Sequence, residues 1–385
     1  MRRRRFLAAL AGGTAALAGC AGGGDGTLTD GAGRSAARSA DATATATETP
    51  TASVRDVDLP VPGSELRQPL PKDRIAAIVE PAFAPDWSAL EAPEGADRPL
   101  LPEDAPVVGV ERDDTARAYP LRVLNWHEVV NDELSGPLLV TYCPLCGSSI
   151  VAERTVGGES TVFGVSGKLW RNDLVMYDRV TESLWSQLLA TAIQGPRTGD
   201  RLSLLPSSFT SWGEWQDRHP ETQVLLPPPH SNTVRGPDAT RDYFNPRSSS
   251  DGQLIGYDYE PEDGLYSRTL VVGVRHNGAA RAYPFDDIRN AGVVNDRVGG
   301  LPVAVTTTSA GSMAAYVRRA GGQTLTFETV DEELLAAGDS RWERATGRAV
   351  DGTHEGTTLE RANDTPPLFW EGWSNFNPDT DIYGE

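Results

Sequence analysis

The sequence predicts a strand-rich α+β protein made of two pseudo-symmetric repeats of one unit, the second degenerate. Three observations predict it. The chain matches itself without a gap: Val107-Val108-Gly109-Val110 recurs as Val271-Val272-Gly273-Val274, an offset of 271 − 107 = 164. From 107 to 151, 16 of 45 positions are identical at that offset, and fixed-period self-similarity reflects architecture. Short apolar runs bounded by turn residues read as strands, and Arg122–Val130 shows helical spacing, through Val123, Trp126 and Val130.

In chain order, Arg2–Arg5 and a short apolar run ending Leu17-Ala18-Gly19-Cys20 read as an export signal over residues 1–19. Arg3-Arg4-Arg5-Phe6-Leu7 has the twin-arginine form and Leu-Ala-Gly-Cys the lipobox form, so Cys20 is expected to carry a lipid. Residues 20–58, rich in Thr, Ala and Gly, have almost nothing to bury and read as a tether. Repeat 1 spans 65–226, a linker 227–268, and repeat 2 269–385.

Within repeat 1, Val107–Glu111 and Ala116–Tyr119 form a hairpin across Asp113-Asp114. The helix is expected to stop at Asn131-Asp132; Leu138–Tyr142 reads as a buried strand, and Ser160–Phe163 and Leu174–Tyr177 as further strands. Past a deletion in repeat 2, Trp185 returns as Trp342 at offset 157, and Trp212 and Trp215 as Trp370 and Trp373 at offset 158.

Composition narrows the function. The chain has 385 residues, 35 Lys+Arg against 54 Asp+Glu and a net charge of −19, and its only lysines are Lys72 and Lys168. Loss of residues 1–19, with four arginines and no acid, takes the charge to −19 − 4 = −23. No basic cluster follows the signal, so nucleic acid is not an expected partner. Three cysteines are too few for a disulfide scaffold. The acidic excess suits a halophilic exported protein, anchored to the outer face of the cytoplasmic membrane.

Differences between the repeats locate the chemistry. Residues shared by both, such as Arg117, Tyr119, Asn131, Asp132, Trp185 and Trp215, are best explained by folding. Repeat 1 carries Asn125-Trp126-His127-Glu128 against Arg289-Asn290-Ala291-Gly292, and Tyr142-Cys143-Pro144-Leu145-Cys146 against Thr306–Ala310; His219 faces Asn377. Each difference strips ligand-type side chains from repeat 2. Two thiols at this spacing close a disulfide or chelate a soft metal. The metal set is Cys143, Cys146 and His127, with His219, Met176 and Glu128 as weaker members and copper or zinc as the metal. A helix starting at Gly147 would lower both thiol pKa values.

Ala118-Tyr119-Pro120, Trp126-His127-Glu128, Thr141-Tyr142-Cys143-Pro144-Leu145-Cys146-Gly147, Phe163–Leu169, Met176-Tyr177-Asp178-Arg179 and Thr181–Gln187 together resemble the domain-of-unknown-function 3179 family. The resemblance is close over residues 70–226 and reaches 385 only through the second copy. It implies no activity.

Three readings of the Cys pair stand: a surface-anchored soft-metal binder; a thiol-disulfide oxidoreductase in which Cys143 and Cys146 cycle with an exported partner; and a non-catalytic binding module with a structural disulfide. The partners they imply are the membrane, through the lipid, and an exported redox or metal-delivery protein.

Overall fold

The computed structural model describes residues 57–91, 94, 100–236, 243, 264–308 and 311–385. The export signal, Cys20, nearly all of the tether and most of the linker lie outside the described residues. The described fold is strand-rich α+β, with 43% strand and 12% helix.

The first half contains the expected hairpin, Pro106–Arg112 with Thr115–Pro120. Its turn residues Asp113 and Asp114 both have positive φ, 46° and 62°, the conformation of a tight two-residue hairpin turn. The hairpin sits in a five-stranded sheet with Ser208–Ser211, Gln223–Leu225 and Phe83–Ala84. Helix α1 follows at Leu121–His127. It ends sooner than its spacing suggested, because Glu128 turns left-handed at φ 56°. Asn131 and Asp132 are therefore strand residues, in Val129–Glu133, where β-branched Val129 and Val130 pair with Thr141 and Val140.

The strand Pro137–Cys143 continues this second sheet and turns back into Ser148–Glu153. Gly147 thus leads into a strand, not a helix, and the expected dipole is absent. A third sheet orders Phe163–Trp170, Asp173–Asp178, Leu184–Ser186 and Thr191–Gln194. The expected strand at Ser160–Phe163 is split: Ser160 closes a two-residue strand with Glu159, and Phe163 opens the long one. Helix α2 is Trp212–Arg218, capped by Ser211, whose hydroxyl accepts from Glu214 N.

The second half runs through the same order. Leu270–His276 pairs with Ala279–Pro284, α3 is Phe285–Ala291, and Val293–Val298, Leu301–Thr307 and Met313–Val317 form the next sheet. A short sheet of Glu328–Thr329, Leu334–Ala337 and Ser340–Glu343 comes before helix α4, Trp370–Phe376.

Polar residues shared by the halves make the same bonds in each. Arg117 and Tyr119 converge on Asp132, and Arg281 and Tyr283 on Asp296. Asn131 brackets Phe163 as Asn295 brackets Phe327, and Trp215 donates to Thr222 as Trp373 does to Thr380. Gly109 and Gly273 each lie under one of these indoles, where an added Cβ would come within 2.3 and 2.1 Å of the ring.

The ladders correct one pairing. Val130 pairs with Val140 and Val294 with Val305, so the offset grows from 164 to 305 − 140 = 165 across the turn. Thr141 therefore corresponds to Thr306, and Cys143 to Thr308 rather than Thr307.

Candidate metal centre

Cys143 is the last residue of its strand and pairs in register with Ser148, so Pro144–Gly147 is a tight connection between two hydrogen-bonded strands. The connection closes through Gly147 at φ 56°, with the Phe369 ring directly over its α-carbon. Both cysteines are buried, and neither is in a disulfide. Cys146 Sγ lies 3.1 Å from Ser148 Oγ and 3.6 Å from Asp173 Oδ1, and Cys143 Sγ lies 3.8 Å from Asn172 O.

Asp173 comes from a different sheet. Arg171 and Asn172, both left-handed at φ 52° and 63°, turn the chain so that Asp173 begins its strand facing the cysteines. Its Oδ2 accepts from Ser186 Oγ at 2.9 Å and Leu188 N at 3.0 Å. Two sulfurs and one carboxylate oxygen then lie within 4.8 Å of one another, all from buried residues.

This environment disfavours charge. Burial pushes the Cys146 thiol well above its ordinary value, and the adjacent Cys143 adds to this. Burial raises Asp173 to about 7. Glu128 rises to about 8, through burial first and the Asp173 charge second, although part of the residue's surface stays accessible. Cys146 is therefore protonated at neutral pH, opposite to the helix-start expectation.

The other sequence candidates fall at different distances from this group. Glu128 is a neighbour: its carbonyl accepts from Tyr142 N at 2.8 Å, and its carboxyl feels Asp173. Met176 is fully buried in the same apolar cluster as the cysteines, cross-strand from Trp185, and is not in the ligand group. His127 stands apart. Its Nδ1 meets Ala76 O at 2.7 Å and its Nε2 meets Tyr243 Oη at 2.6 Å. A carbonyl can only accept, so Nδ1 carries the proton and Nε2 takes the tyrosine hydroxyl, which leaves no lone pair for a metal. His219 caps α2, tilted over the Trp215 ring, with Nδ1 3.8 Å from Glu111. Two further carboxylates of this stretch are engaged locally: Asp178 accepts from Thr181 and Trp185 Nε1, and Glu182 pairs with Lys72.

Asp173 does not stand out in the sequence, because carboxylates are common there and the apolar run that marks its strand starts only at Leu174. The Arg171-Asn172 turn before it was the available signal. Gln187 was also missed as a site residue: Nε2 donates to Thr141 Oγ1 at 3.0 Å, while Oε1 accepts from Ser148 Oγ at 2.9 Å.

The second half closes the site from above. Phe369 N donates to Cys146 O at 3.0 Å, and Asn172 Nδ2 donates to Glu371 Oε1 at 2.5 Å. Gly372 of α4 lies so close that an added Cβ would be 2.8 Å from both Cys146 Cβ and O. The cover is reciprocal: Glu214 of α2 accepts from Ser312 Oγ at 2.9 Å and Thr308 Oγ1 at 3.3 Å in the second half.

A family model described as a protein of unknown function, DUF3179, matches residues 72–380. The second half thus lies inside the matched region and is not a separate addition. Neither the curated proteins nor the solved structures give a match.

Proposed function

The chain belongs to the DUF3179 family, and from that premise we propose that it binds a soft or borderline metal ion, zinc or copper, through Cys143, Cys146 and Asp173. The observation that supports this is the convergence of two unbonded thiols and one carboxylate, from two different sheets, within 4.8 Å. Sulfur donors select such metals, and a metal displaces the proton that burial otherwise retains on Cys146. Three protein ligands leave a fourth position for Glu128 or an external group, as in zinc sites that handle a substrate.

Thiol-disulfide exchange is the second reading, favoured by the unbonded Cys-x-x-Cys pair. It is the weaker one because attack needs an accessible thiolate, and Cys146 is buried and held as the thiol. The N-terminal pattern supports a further proposal, export and lipidation at Cys20, with metal capture at the cell surface; the mass of the mature N-terminus tests it.

The test of metal binding is elemental analysis of protein made with metal present, wild type against Cys143→Ser plus Cys146→Ser. About one zinc or copper per wild-type chain and none in the variant is the expected result. A wild type that holds no metal under reducing conditions refutes the proposal.

A further inference from the structure

The second half shows what fills this location when the cysteines are gone. Trp185 and Trp342 correspond at 342 − 185 = 157, and at the same offset Gln187 corresponds to Arg344. The bonds agree: Gln187 N donates to Leu174 O at 3.0 Å and Arg344 N to Glu333 O at 2.9 Å, each at the start of the turn after its tryptophan strand. Gln187 Nε2 donates to Thr141 Oγ1, and Arg344 Nη1 donates at 2.8 Å to Thr306 Oγ1, the residue that the ladders set opposite Thr141.

The longer arginine reaches further. Its Nη1 also donates to Gly292 O at 2.6 Å and Thr307 O at 3.3 Å, and its Nε donates to Asp331 O at 3.0 Å. Gly292 corresponds to Glu128 and Thr307 to Tyr142, the backbone beside the cysteine site. A buried guanidinium, 4% exposed, thus lies on the same frame of backbone oxygens in the half that lacks thiols. In the first half the arginine is a neutral glutamine, Cys143 Sγ lies 3.8 Å from Asn172 O, and the Cys143, Cys146 and Asp173 ligand atoms lie within 4.8 Å of one another. Potential anions have replaced a built-in cation.

Resting on the metal reading, we infer that the site takes an exchangeable divalent cation of the zinc class, and that Gln187 is the residue that keeps the region open for it. A doubly charged ion of borderline softness suits this mixture of thiols and carboxylates better than monovalent copper, which favours sulfur alone. Gln187 acts by its size and neutrality, and by holding Thr141 and Ser148 in place. It is not itself a ligand.

The test is a zinc titration of the full chain in reducing buffer, comparing wild type, Gln187→Arg and Gln187→Met. Methionine matches the length without the charge. We expect Gln187→Arg to weaken zinc binding by roughly 100-fold and Gln187→Met by less than about tenfold, the scale of changes around a ligand shell. If Gln187→Arg fails to fold, Gln187→Lys carries the same expectation. Arginine binding zinc as wild type does, or methionine losing as much as arginine, overturns the inference. Melting in EDTA separates its failure from failure of the metal reading. Even if wild type binds no zinc, Gln187→Arg is expected to melt above Gln187→Met, because a guanidinium supplies the missing cation. The reverse order overturns the inference.

Discussion

At the scale of single residues, the polar side chains shared by the halves bond within the fold. Arg117, Tyr119 and Asp132 form one network, buried at Tyr119 and Asp132, and Trp185, 1% exposed, anchors its cluster with Nε1 on Asp178. Trp185→Ala should cost about 3–5 kcal/mol in chemical denaturation, as loss of a buried aromatic does. The difference between the halves set His127 among the metal ligands, yet Ala76 O and Tyr243 Oη occupy its two ring nitrogens. With both ring nitrogens bonded, His127→Ala should cost about 1–3 kcal/mol and leave metal stoichiometry unchanged. An undiminished unfolding midpoint would contradict this.

Asp173 and Glu128 carry the pH dependence. Their folded pKa values, about 7 and about 8, lie above the ordinary 3.8 and 4.5, so across that window the metal-free fold holds protons that the unfolded chain has lost. Stability of the metal-free protein should therefore fall as pH rises from about 4 to about 8. Urea midpoints in EDTA should show this fall, and Asp173→Asn should flatten it. A stability that rises through that range would contradict the assignment.

At the scale of elements, strands and turns were legible where local chemistry decides them. The Asp113-Asp114 turn and the strand around Val140 follow from turn residues and apolar runs. The end of α1 was not legible, because helical spacing continues to Val130 while the backbone reverses at Glu128 to pair Val129 with Thr141. Nor was the cover that α4 places on the Cys turn, since it depends on contacts over two hundred residues apart. That cover yields a prediction. Gly372→Leu should force α4 away from Cys146, cost about 1–3 kcal/mol through overpacking, and speed the reaction of the thiols with an aromatic disulfide reagent. Unchanged thiol reactivity would show that α4 does not seal the site.

At the scale of the whole molecule, the two halves cover one another's corresponding turns, Gly372 against Cys146 and Glu214 against Ser312. Self-similarity in the sequence pointed to shared elements but not to this exchange of helices. Two of the three candidate ligands were also visible: the Cys pair stood out because the second copy lacks it, whereas Asp173 enters from another sheet and has no spacing relation to the thiols. The central claim is that these three side chains share one metal ion. X-ray absorption at the zinc edge of the loaded protein tests it most directly. The account predicts two sulfur neighbours at about 2.3 Å with oxygen at about 2.0–2.2 Å, both sulfurs disappearing in Cys143→Ser plus Cys146→Ser. A shell of oxygen and nitrogen alone would contradict it.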